Sequence, residues 1–84
     1  MTSKQDLIKF LQKEADHALQ TIFPKILEEL EARFVPGETL TVSMVDLVAG
    51  YESNLQTIIT SRAVKRLEEL GYGVSSSSEG IHVS

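Results

Sequence analysis

Cysteine and tryptophan are absent from this 84-residue chain, and proline occurs only twice. Without cysteine there is no disulfide framework, no thiolate metal site and no cysteine nucleophile, and the composition suits a reducing compartment. No apolar run approaches the roughly 20 residues that span a bilayer, so no membrane partner is expected. Met1 is followed by polar Thr2, Ser3, Lys4 and Gln5 rather than by a basic region feeding an apolar one. No secretory leader is therefore expected, and a cytoplasmic location is. His17 and His82 are the only imidazoles, and neither belongs to a metal-ligand spacing. Gly71 and Gly73 flank Tyr72 at a helix exit, where no helix N-terminal amides are on offer to a phosphate. The paired acids Glu28-Glu29 and Glu68-Glu69 are adjacent and diverge on a helix. No metal, no cofactor and no catalytic residue are expected, and an enzyme is not.

What is present is one domain's worth of ordinary globular sequence, 42% hydrophobic and 24% charged. A chain this short buries only about 60–65% of the surface its unfolded form exposes, so its core is small and a partner can complete it. The net charge of −4 argues against a generic phosphate binder. Residues 1–34 carry five of the eight cations and six of the twelve acids. The three remaining cations, Arg62, Lys65 and Arg66, lie within five consecutive residues. Any nucleic-acid surface on the C-terminal half depends on them.

Ser3 and Asp6 have capping-box spacing ahead of a helical stripe, Leu7, Leu11, Ala15, Ala18, Ile22 and Ile26. Ile8, Leu19, Phe23, Leu27 and Leu30 widen it, while Lys9, Lys13, Asp16, Gln20 and Glu28 fall elsewhere. Unbroken from Lys4 to Phe34, this helix would run about 46 Å. Pro24 leaves two readings open: two helices, the second capped by Thr21, or one kinked helix projecting from the domain. Pro36-Gly37 ends the segment in both cases.

The stretch ETLTVS alternates as a short strand, with Leu40 and Val42 on one face. Ser43 can cap a brief helix from Met44 to about Gly50, with Val45, Leu47 and Val48 apolar. After the turn-like YESNLQ, Ser53 or Asn54 can cap a longer helix, and Ser53 with Gln56 has capping-box spacing. Leu55, Ile59, Ala63, Leu67 and Leu70 form its apolar face, and Gly71 suits its left-handed end. Tyr72–Ser75 and Ile81–Val83 are predicted as a hairpin joined through Ser77, Ser78, Glu79 and Gly80. The fold class is α+β.

Over about residues 38–84, the run LTVSMVDLVAGYESNLQTIITSRAVKRLEELGYGV resembles the winged helix-turn-helix domain. The carrying features are Leu40-Thr41 before the second helix, Val45, Leu47 and Val48 within it, the Gly50–Asn54 gap, and VKRLEELGY leading into a hairpin. The first helix fits the expected position. The resemblance implies a DNA-binding or transcription-related regulator. Two features depart from that family: the polar Gly50–Thr57 segment exceeds the usual tight turn, and residues 72–84 contain no Lys or Arg to grip a backbone.

On the winged-helix reading Gln56, Thr57, Thr60 and Ser61 would face base edges, while Arg62, Lys65 and Arg66 would hold phosphates or guanine. Arg62 and Lys65 are expected to project away from Ile59, Ala63 and Leu67, with Arg66 at the edge. Glu69 stands within reach of Lys65 and Arg66 for ordinary helix ion pairs. The expected partners are double-stranded DNA or, alternatively, a protein on which a compact acidic module docks. A homodimer is also expected, its interface drawn from Leu7, Phe10, Leu11 and Ile22 of the 1–34 segment, which is wide in its apolar stripe for so small a domain.

Overall fold

The computed structural model describes residues 3–84. Its elements are α1 (Lys4–Arg33), β1 (Leu40–Val42), α2 (Met44–Val48), α3 (Ser53–Glu69), β2 (Val74–Ser77) and β3 (Gly80–Val83). The α+β layout is that expected from the sequence, and Pro24 is resolved in favour of one continuous 30-residue helix. Ser3 Oγ accepts from the Asp6 amide at 3.1 Å, the cap predicted for the start of α1. Pro24 has no N–H for the carbonyl of Gln20, but both residues lie on the exposed side, where water satisfies that oxygen. At 1.5 Å per residue α1 is about 45 Å long. It accounts for the elongated shape, 50 × 24 × 21 Å.

Pro36 and Gly37 then form a tight turn closed by the Glu38 amide on the Val35 carbonyl at 3.0 Å. Gly37 supplies the positive φ (+88°) that such a turn needs after proline. The strands form one antiparallel sheet in the order β1-β3-β2. Leu40, Val83 and Val74 lie in one cross-strand row, and Val42, Ile81 and Ser76 in another. These rows face the helices: Val42, Ile81 and Val83 are buried. The alternate row, Thr41, His82 and Ser75, faces outward.

The core lies where α1 and α3 cross the inner face of the sheet. Ala15, Ala18, Leu19, Ile22, Ile26 and Leu30 come from α1, and Ile59, Ala63 and Leu67 from α3. Alanines at 15, 18 and 63 let the two helix backbones approach closely. Met44 and Val48 of α2 close one end, and Phe34 packs edge-to-face on Tyr72 with centroids 5.5 Å apart at the other. Among the described residues no buried side-chain polar atom lacks a hydrogen-bond partner.

Four local expectations are corrected. Ser43 sits at the start of α2 but makes no side-chain cap bond. The start of α3 is not a Ser53–Gln56 capping box, because the N-cap position is Glu52 and Gln56 Nε2 instead donates to the Tyr51 carbonyl at 2.8 Å. Leu70 is not part of the buried stripe but 59% exposed. The helix stops at Glu69, where the Gly71 and Tyr72 amides turn back onto the Glu68 and Leu67 carbonyls. That reversal, with Gly71 at φ +99°, is a Schellman ending, and Leu70 stands just before it, past Leu67, the last buried residue of α3. The hairpin connection is also tighter than predicted: β2 extends to Ser77 and β3 begins at Gly80, leaving two residues between them.

Candidate interaction surfaces

Two surfaces bear the residues expected to carry function. The first is α3 with the groove beside it. Thr57, Ser61, Lys65 and Glu68 are exposed and recur at i, i+4, i+8 and i+11, so they form the outward row of α3. Gln56, Thr57, Thr60 and Ser61 line a groove shared with Ser76 to Ser78 of the hairpin, over a floor that includes Met44 and Val48. The helix and the hairpin therefore do bring the predicted polar residues together on one side.

The side chains are, however, partly occupied. Thr57 Oγ1 donates to the Ser53 carbonyl at 3.2 Å and Thr60 Oγ1 to the Gln56 carbonyl at 2.9 Å. With Gln56 donating to Tyr51, three of the four polar groups expected to read bases direct a proton at their own backbone. Their acceptor lone pairs remain.

The cations divide differently from the sequence expectation. Arg62 does not project outward with Lys65. Its Nε donates to Asp16 Oδ1 and its Nη2 to Asp16 Oδ2 at 2.9 Å, a two-pronged pair joining α3 to α1. The Arg66 guanidinium stands 5.7 Å from the ring centroid of Phe23, again on α1. Neither makes an ion pair with Glu69 among the described residues, where the pairs are Arg62–Asp16 and Arg33–Glu29. A helix turns 400° over four residues, so Arg62 and Arg66 differ by only about 40° and share the flank nearest α1. Lys65 alone of the three remains on the outward row, followed by two acids.

The second surface is the N-terminal part of α1. Burial begins at Ala15. Before it, Leu7, Ile8 and Phe10 are 49%, 41% and 57% exposed, and Leu11 is half-buried. Ile8 and Leu11 reach α3 beside Ile58, and among the described residues Leu7 and Phe10 stay about half exposed. Ile22, expected with them in a subunit interface, is buried at 3% in its own domain. The sequence pattern could not separate these residues, because one stripe runs through both the covered and the uncovered lengths of α1.

The outer sheet face carries a third polar arrangement. His82 Nδ1 lies 2.9 Å from Thr41 Oγ1 and Nε2 lies 2.8 Å from Ser77 Oγ, so one imidazole ties all three strands together. The register places Thr41 directly across from His82, which a linear reading of the last strand did not reveal. Among the described residues no three His, Asp or Glu side chains stand together as metal ligands, and no helix is long and apolar enough to cross a membrane. No protein-family model, no curated protein and no solved structure matches the chain.

Proposed function

We propose that this chain is a winged-helix module that acts by docking on another protein rather than by gripping duplex DNA. The element order and the strand order β1-β3-β2, with a C-terminal hairpin beside the longer helix of the pair, support the winged-helix reading. One observation carries the choice of partner: Arg62 of α3 is ion-paired with Asp16 of α1, while Arg66, exposed and still charged, leans over Phe23 of α1 rather than standing on the outward row. Duplex affinity rests mainly on cations that neutralise phosphates, each contributing close to one unit of salt slope. Lys65 with Arg66 at its flank, followed by Glu68 and Glu69 and opposite a hairpin without Lys or Arg, supplies little of it. An acidic chain with uncovered apolar side chains on one helix has instead the surface of a protein that meets proteins.

The DNA reading retains one favourable feature, the hydroxyl-rich groove between α3 and the hairpin, whose neutral donors would position a backbone without supplying much affinity. A single titration separates the two readings. Fluorescence anisotropy of a labelled mixed-sequence duplex, at low salt and protein concentrations up to about 50 µM, is expected to show no saturable binding. Binding that appears at low salt, falls steeply as salt rises and is lost in Lys65→Ala would overturn the protein-docking proposal and restore a DNA-binding regulator.

A further inference from the structure

We propose that the open edge of β2 takes up an extended, uncharged segment of a partner protein as a fourth strand of the sheet, with inward side chains directed at the groove between α2, α3 and the hairpin. The register identifies the groups on offer. Gly73 and Ser84 exchange both backbone hydrogen bonds, each at 2.8 Å. Such pairs alternate along an antiparallel ladder, so Ser75 and Ser77 likewise direct their N–H and C=O at His82 and Gly80. The N–H and C=O of Val74 and Ser76 therefore point away from β3, and β2 is the outermost strand on that side. Among the described residues no other backbone group bonds to any of the four. The edge is also unguarded. Val74–Ser77 contains no Lys, Arg, Asp, Glu or Pro and its register has no bulge, the devices that keep a sheet edge from pairing. Ser75, Ser76 and Ser77 are all exposed.

Backbone and groove together define the occupant. Unpaired N–H and C=O groups on alternate residues match an extended chain, whereas a helix keeps its own backbone groups bonded internally. In antiparallel addition the partner residues opposite Val74 and Ser76 exchange both bonds and share the face of those two residues. Ser76 belongs to the inward row yet stays exposed, so the side chain set opposite it enters the groove. That groove holds about 530 Å³, with Met44, Val45, Val48 and Ala49 as its apolar side. None of its lining residues is charged, so a charged side chain placed there would lose water without gaining an ion partner. Val45 is 62% exposed, apolar surface that a small aliphatic side chain would cover. A second copy of β2 lacks such a side chain, because Val74 already packs on its own core and the rest of the strand is serine. The occupant is therefore a partner segment with small aliphatic residues at alternate positions and no charge between them. The strand addition rests on the protein-docking reading and names where that contact is made.

An NMR titration of the whole isotope-labelled chain with the capped peptide Thr-Val-Thr-Val-Thr, up to about 5 mM, tests it. A short edge gives weak, reversible binding, expected with a dissociation constant on the order of 0.5 mM. The Val74 and Ser76 amide signals should shift and their hydrogen exchange should slow. With the valines inward, N-methylation of both removes the N–H groups that face β2 and should abolish binding. N-methylation of the central threonine, whose N–H points away, should change affinity by less than about twofold. Ser76→Pro deletes an edge donor at a place where an outer strand accepts proline, and should weaken binding at least about tenfold, while Ser76→Ala should bind as wild type. If the proline variant fails to fold by circular dichroism, the two N-methyl peptides still decide. No shift at the highest concentration overturns the proposal, as does equal binding or equal loss with the two N-methyl peptides. A concentration-dependent dimer of the chain alone that Ser76→Ala keeps and Ser76→Pro loses also overturns it, by giving the edge to a second copy. None of these results touches the protein-docking reading, which the duplex titration tests separately. A chain that binds both this peptide and duplex keeps the strand addition and loses that reading.

Discussion

Replacing Asp16 with Asn and Arg62 with Gln, singly and together, measures whether α1 withholds the principal cation of α3. The two side chains are 41% and 37% exposed, so water screens the pair and its Coulomb energy is far below that of a buried one. Exposed pairs contribute about 0.2–1 kcal/mol, and the two-pronged geometry places this one in the upper half, about 0.7 kcal/mol. For a domain of this size 1 kcal/mol moves the midpoint by roughly 4–8 °C, so the coupling corresponds to about 3–6 °C in Tm. The double variant should be more stable than the sum of the single losses by that amount, and the coupling should shrink as salt rises. The same variants have a second readout. Asp16→Asn leaves Arg62 without its acid, and low-salt duplex affinity should rise several-fold in that variant and not in the double one. A coupling below about 0.2 kcal/mol, with duplex binding unchanged in Asp16→Asn, would refute the claim that this contact governs what α3 presents.

The remaining expectations concern the fold that carries these surfaces. Gly80 opens β3 at φ +136°, and a Cβ there would overlap the Val42 carbonyl oxygen and stand 3.0 Å from Ser43 Cα. Gly80→Ala should therefore cost more than about 3 kcal/mol, read as a Tm lowered by well over 10 °C; a loss below about 1 kcal/mol would mean that β1 can retreat. Leu67→Ala should cost about 2–5 kcal/mol, because Leu67 is fully buried, whereas Leu70→Ala should stay within about 0.5 kcal/mol. Urea titrations of the two, side by side, test the placement of the α3 terminus, and equal losses would contradict it.

Much of the architecture was legible because it depends on local chemistry. Apolar spacing located α1 and α3, alternation located β1, and Gly71 and Pro36-Gly37 marked where helices end. The errors share a cause. Leu70 has the correct spacing for the core, but the covered length of α3 ends one turn earlier, at Leu67. Asp16 was placed on the polar side of α1 with Lys9 and Lys13, and Arg62 on the outward side of α3. At 100° per residue Arg62 stands only about 60° from Ile59, against about 120° for Lys65, so the wheel of α3 already separates the two cations. The partner is what one helix does not reveal, because Asp16 lies 46 residues away in sequence. His82 illustrates the same limit in a sheet, since its partner Thr41 is fixed by register rather than by proximity in the chain.

The position of Asp16 joins the two surfaces into one design. It lies one residue past Ala15, where α1 stops being a free helix and becomes part of the core. On the C-terminal side of that point, Phe23 and the buried stripe hold α3 and draw Arg66 toward them. On the N-terminal side, Leu7 and Phe10 are about half exposed, and Ile8 meets α3 only at its edge beside Ile58. An ion pair at this junction anchors the base of the projecting turns while removing a cation from the face a DNA reader would use.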